Sequence, residues 1–276
     1  MKIDVHTHIF PDKIAAEVVE KLQHKATEEL NAAGNGTMSD LIRQMHSAGI
    51  DKSVICPIAT KPEQFESILA FSKSISGGKQ GQAAKAKLIP FASVHPASSD
   101  CFSQLEKCAA DGIRGIKLHP FYQNFNLGAD HIIDIMRCCR DLDLVVLCHC
   151  GMDIGFLPER ICTPEHILKV HEKVPGIKFI AAHLGGYRLW TEVVELLVGQ
   201  PVYLDSAVLE ADLHNDIVHR ILKSHPADRL MLASDWPWCA LDKARKLIDK
   251  LHRSEKDKAL ILGGNAKRLL DIQASF

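Results

Sequence analysis

A chain of 276 residues, 46% hydrophobic and 24% charged, can bury one large core and falls in the globular class. Its formal charge of −1 comes from acidic and basic residues mixed along the whole length, so no field exists to draw in nucleic acid or an anionic membrane. The nine cysteines are odd in number and sit in apolar patterns, which is the usage of a reduced compartment and excludes a disulfide framework.

The opening run, MKIDVHTHIF, lacks the apolar stretch of a signal peptide, and no later stretch is long enough to span a bilayer. A cytoplasmic protein with a small-molecule substrate is expected. Short β-branched or apolar runs then recur in chain order: KIDVHTH, KSVICPI, LIPFASVH, IRGIKLH, LVVLCHC, IKFIAAH, PVYLDS and RLMLASD. Helical periodicity fills the intervals, over 12–33, 101–111, 131–141, 164–173, 191–198, 212–224 and 242–251. Near-continuous apolar strands imply burial on both faces, as in a parallel sheet covered by helices. Eight strand–helix units predict an α/β fold of the (β/α)8 TIM-barrel type, with 1–276 as a single domain. An open doubly wound sheet would carry a Gly-rich turn after the first strand, whereas Ile9-Phe10-Pro11 follows here. The stretch 76–87, SGGKQGQAAKAK, reads as a frayed helix end and surface connection, and Asn265 as the cap of a final helix that closes the barrel.

Six of the eight runs carry ionisable residues at their C-terminal ends: His6 and His8, His95, Lys117 and His119, His149, His183, and Asp235. Packing does not account for that excess, and in a barrel those ends share one face, where active sites are built. His6 and His8 are two apart, so both imidazoles project to one side, close enough to share a cation. His149 ends the fifth strand and Asp235 the eighth, which must adjoin the first. Together they complete a nitrogen and oxygen set suited to one divalent metal such as Zn²⁺. The bland readings are a satisfied core histidine for His149 and a helix cap for Asp235. Cys148 and Cys150 flank His149, and neighbours on a strand point to opposite faces, so either His149 or the cysteine pair faces the site.

His183, in IAAHLGG, is a candidate for ligand support, for holding a second metal, or for general acid–base work. Gly185 and Gly186 either let backbone approach a ligand or simply make a turn. Lys117 shares a strand face with His119 and needs an anionic partner when buried: a substrate carboxylate, a neighbouring acid, or conversion to a carbamate. His95 reads as substrate-binding or as a capping histidine. Trp236, Trp238, Tyr122, Phe121 and Phe125 are candidate pocket-lining aromatics.

The ordered words DVHTHIFP, GIKLHP, LCHCG, AAHLGG, ASDWPW and GGNAKRLL cover nearly the whole chain. With them the chain resembles the amidohydrolase superfamily, in the branch of aminocarboxymuconate-semialdehyde decarboxylase and related hydrolases and lactonases. The resemblance implies that His6, His8, His149 and Asp235 bind the metal and that His183 is a catalytic histidine beside it. It also implies a metal-activated water as nucleophile, with Asp235 accepting its proton. In binuclear relatives a carbamylated lysine on the fourth strand bridges two ions, and Lys117 occupies about that place. The AHLGG and SDWPW words favour one metal, which frees Lys117, with His119 and His95, for substrate. A homodimer is the family's habit.

Hydrolysis of an amide, ester or lactone of a small carboxylated compound is therefore the leading expectation, with non-oxidative decarboxylation on the same site as its rival. A phosphoesterase beginning in His-x-His would end in an Asp-x-His ligand pair, but here Asp235 precedes Trp236-Pro237. A scaffold that had lost catalysis would be expected to have lost at least one ligand.

Overall fold

The computed structural model of the chain describes residues 1–77 and 87–272. Most of the stretch 76–87 therefore lies outside the described residues. The strands are β1 (Ile3–Thr7), β2 (Lys52–Ile55), β3 (Leu88–Pro90), β4 (Gly115–Leu118), β5 (Val145–Cys148), β6 (Phe179–Ala181), β7 (Tyr203–Asp205) and β8 (Leu230–Met231). All pair in parallel, in two arcs ordered β1-β2-β3 and β4-β5-β6-β7-β8. Parallel bridges Ala92–Ile116 and Thr7–Trp236 join the arcs at both ends, so the sheet closes into the expected (β/α)8 barrel.

Helices cover the ring: α1 (Ala15–Lys25), α2 (Met38–Ala48), α3 (Phe65–Gly77), α4 (Cys101–Ala110), α5 (Asp130–Asp141), α6 (Pro164–Lys173), α7 (Trp190–Leu196), α8 (Asp216–Ser224) and α9 (Leu241–Asp249). Two short helices follow, α10 (Glu255–Ala259) and α11 (Asn265–Leu269). Strand alternation divides the core. Val146, Cys148 and Ile116 pack outward against the helices, while Val54, Phe91, Val145, Leu147, Ile180 and Met231 form a second cluster inside the ring. Ala266, Leu269 and Leu270 join that inner cluster, so α11 and its end plug the bottom of the barrel.

Two local expectations are corrected. Asn265 is not a cap: it is buried, and its side-chain amide donates to the Ala227 and Leu230 carbonyls at 2.7 Å, which ties α11 to the entry of β8. The helix expected over 12–33 ends at Lys25, because tertiary hydrogen bonds take over the backbone beyond it. Thr27 N–H donates to the Ile154 carbonyl at 2.9 Å and Ala33 N–H to the Pro237 carbonyl at 2.6 Å, so this segment straps the mouth of the barrel. Within the strap, Gly34 packs against the buried Trp236 ring, where a Cβ would lie only 2.3 Å from it, so the close approach requires glycine.

Gly151, just past β5, is left-handed at φ 94°, and a Cβ on it would lie 1.9 Å from the Tyr187 nitrogen. The Gly151→Ala variant is expected to lose roughly 2–4 kcal/mol of stability, since both the conformation and the space require glycine. Urea unfolding checks this, and an unchanged midpoint would show that the two loops can part without cost.

His171 on α6 is pushed down to about 4 from 6.5 by burial and then by Arg229, and its Nε2 is buried without a partner. Below about pH 6.5 the unfolded chain takes up a proton that the native chain refuses, so stability falls as pH drops from about 6.5 toward 4. His171→Leu should flatten that acid slope by up to about 1 kcal/mol per pH unit. Thermal melts of both proteins across this window test the assignment.

Candidate active site

The strand ends lead into one cavity of about 830 Å³ above the barrel. Lining its floor are His6, His8, Lys117, His119, His149, His183 and Asp235, from β1, β4, β5, β6 and β8 or within four residues of their C-terminal ends. His6 Nε2 and His8 Nε2 lie 3.1 Å apart, and Asp235 Oδ1 lies 3.2 Å from the first and 3.0 Å from the second. Three electron-rich atoms thus crowd one point. Each imidazole is oriented from behind: His6 Nδ1–H donates to Asp205 Oδ2 at 2.9 Å, and His8 Nδ1–H to the Cys56 carbonyl at 2.7 Å. With Nδ1 engaged, the lone pairs of both Nε2 atoms are left facing Asp235, the tautomer a cation requires.

Lys117 is 1% exposed, and its Nζ donates to His6 Nε2 at 2.8 Å, with Asp205 and Asp235 as nearby anions. Burial, then Lys117, hold His6 and His119 well below the usual imidazole range, and burial, then His119 and His183, do the same for His149. Neutral imidazoles are what metal ligation needs. Burial raises Asp235, but its close contact with His8 and the positive charge of Lys117 carry its carboxyl below the ordinary value. It is therefore a carboxylate at neutral pH.

The backbone is bent to deliver these groups. Asp235 sits in the left-handed region at φ 59°, with its N–H donating to the His6 carbonyl at 2.8 Å across the β8–β1 seam. Non-glycine residues occupy this region at a cost that surrounding structure must hold, and such residues concentrate at functional sites. His183 (φ 57°) and Leu184 (φ 59°) follow the same pattern after β6. Burial lowers His183 as well, against the raising effect of Asp235, and its Nδ1–H donates to the Ala207 carbonyl at 3.1 Å.

A family model described as amidohydrolase matches residues 79–272. The chain belongs to the amidohydrolase family. No curated protein matches it. Among solved structures, an uncharacterised TIM-barrel protein from Bordetella bronchiseptica superimposes with a TM-score of 0.77 at 20% identity, with 98% of each chain covered. A dihydroxybenzoic acid decarboxylase from Polaromonas, with bound manganese, gives 0.70 at 15% identity over 99% of this chain and 98% of that one. A probable 2-pyrone-4,6-dicarboxylic acid hydrolase from Acinetobacter baumannii gives 0.65 at 16% identity over 98% and 99%. These likenesses establish the shared barrel.

Not every expected residue of this amidohydrolase falls where the sequence suggested. His149 groups instead with His119 and Asp153: its ring stacks on His119 with centroids 4.2 Å apart, and its Nε2–H donates to the Met152 carbonyl at 3.1 Å. It still borders the first group through His183, 4.5 Å away between centroids. His95 does not line the cavity. Its Nδ1 accepts the Ala97 N–H at 3.1 Å, so the ring caps the turn after β3. Gly185 and Gly186 serve packing rather than ligand approach, since Cβ atoms there would meet Leu197 and Val193 at 2.7 and 2.8 Å. Of the aromatics, Tyr122 and Trp238 line the cavity and Trp236, Phe121 and Phe125 do not. Cys148 and Cys150 do face away from His149, clustered with Cys162.

Three positioning residues escaped the sequence reading. Asp205 also ends a strand, in YLDS, and so carried the same signal as the others. Besides His6, it accepts the N–H groups of His183 at 2.8 Å and Ala207 at 3.0 Å, and burial pushes it up to about 7 against those donors. Asp153 lies in the loop after β5, its Oδ2 3.4 Å from His119 Nε2. Gln123 accepts the His119 N–H at 2.8 Å and donates to the Ala59 and Val94 carbonyls at 2.9 Å, which fixes the β4 loop. Neither Asp153 nor Gln123 had a periodic signal to mark it.

Asp205→Asn should keep the fold yet weaken divalent-metal affinity about 10- to 100-fold, because His6 loses the carboxylate that sets its tautomer. Competition against a chromogenic chelator measures this, and unchanged affinity would remove Asp205 from the site.

Proposed function

We propose that the chain is a metal-dependent hydrolase that uses an activated water to open an amide, ester or lactone of a small carboxylated substrate. The observation that carries this reading is the convergence of His6 Nε2, His8 Nε2 and Asp235 Oδ1 with both Nδ1 atoms already committed. Two imidazoles and a carboxylate suit zinc, and also fit manganese, the ion bound in the Polaromonas neighbour. His6, His8 and Asp235 would hold the cation, with His149 across the floor as a further donor. When bound, the cation supplies Lewis acidity toward a carbonyl oxygen and makes water acidic near neutral pH.

The side chains divide the remaining work. Asp235, ionised by its surroundings, accepts the proton of the attacking water and hands it to the leaving group. His183, with Nδ1–H committed to Ala207, offers Nε2 to orient the substrate oxygen and relay a proton. Lys117 and His119 line the same floor and would hold a substrate carboxylate, Lys117 by its ammonium and His119 by its ring. That ammonium also supports the second reading, non-oxidative decarboxylation, which the Polaromonas neighbour's name favours.

Two measurements test the proposal. Elemental analysis should find about one equivalent of divalent metal, falling in His6→Ala and His8→Ala; two equivalents with a carbamate mass on Lys117 would establish a binuclear site instead. Incubation with lactones, esters, amides and carboxylated aromatics should yield ring-opened, alcohol or amine products, reduced at least ~100-fold in Asp235→Asn. Release of carbon dioxide without addition of water would overturn hydrolysis in favour of decarboxylation.

A further inference from the structure

The polar floor fills only part of the cavity. An apolar stripe runs along its outer walls: Ile14, just before α1, and Val18 and Leu22 on it, spaced by four, with Ile58 from the loop after β2 and Ile68 and Phe71 from α3. Val18, Leu22, Ile58 and Ile68 are half-buried and Ile14 is 44% exposed, yet none of these five packs into either apolar cluster of the core. The adjoining face of α1, roughly 60–100° around the helix, is the one the fold buries, through Ala15 and Val19. An apolar stripe that the core does not use, continuous with a catalytic floor, marks a binding surface.

Two lysines of α1, Lys21 and Lys25, also line the cavity beside this stripe. Lys25 stands at the rim, its Nζ 3.6 Å from the centroid of the Phe156 ring and 4.4 Å from that of Tyr122, with Asp153 nearby. The cavity therefore runs from an apolar entrance between α1 and α3 to a floor of imidazoles, carboxylate and ammonium. We infer that the ligand of this site is amphiphilic: a carboxylate or carbonyl head at the floor and a medium-length alkyl or arylalkyl chain lying against Val18, Leu22, Ile58 and Ile68. This rests on the hydrolase reading for the head group alone. A compact polyhydroxylated acid would leave the outer walls wet.

Calorimetric titration of the purified protein with butanoate, hexanoate, octanoate and decanoate tests the chain subsite without turnover. Affinity should rise with length, by up to about fourfold per added methylene, and Val18→Asn and Leu22→Asn should flatten the rise while butanoate binding persists. Both side chains lie outside the core, so folding is retained, and matching melting curves confirm it. Ile217→Asn, at an exposed position away from the cavity, should leave the rise intact. Equal affinity across the series, or a rise that survives in both cavity variants, would overturn the inference. A rise accompanied by no turnover of the matching esters, amides or lactones supports the apolar subsite and removes the hydrolase reading, so the two fail separately.

Discussion

Everything at this site depends on how a buried carboxylate and a buried imidazole satisfy each other inside an apolar ring. Asp205 and His6 are both completely enclosed, and an isolated charge there would cost several kcal/mol in lost hydration. The cost is offset by saturating Asp205 with the His6 ring N–H and two backbone N–H groups. That arrangement fixes the His6 tautomer and turns its lone pair toward His8, Lys117 and Asp235. One hydrogen bond thus converts a problem of burial into a site with unspent affinity for a cation.

The barrel makes such an arrangement affordable by spreading the polar groups over many strands. Each of β4, β5 and β7 alternates between outward side chains that pack on helices and inward ones that turn from apolar to polar toward the C-terminal end. Val145 and Leu147 give way to His149 on one face, while Cys148 and Cys150 stay with the helices. At the β8–β1 seam, backbone hydrogen bonds from Val5 to Leu232, Asp235 to His6 and His8 to Trp236 hold the two segments together while the backbone turns left-handed at Asp235.

Above the floor, the strap after α1 and the loop after β5 decide what reaches the site. The strap is pinned to Ile154 and Pro237 by backbone hydrogen bonds and stacked on Trp236 through Gly34. It holds α1 so that one apolar face looks into the cavity instead of into the core. The loop after β5 also supplies Asp153, which groups with His119 and His149, giving the floor two adjoining sets of donors. Members of one barrel family share the floor and differ in such loops, so the walls carry the information about the substrate.

The sequence by itself determined the strand–helix alternation, the barrel, and the strand-end residues His6, His8, Lys117, His183 and Asp235, because period-two burial and parallel packing act locally and leave a readable pattern. It also marked Asp205 by the same rule, though only its contact with His6 reveals what it does. What the tertiary structure alone decided was decided by contacts between distant segments. The Pro237 and Ile154 carbonyls end the first helix at Lys25, and the Ala227 and Leu230 carbonyls draw Asn265 away from a cap. Each is a backbone polar group that must find a partner once buried, and no local pattern records which side chain or loop will supply it.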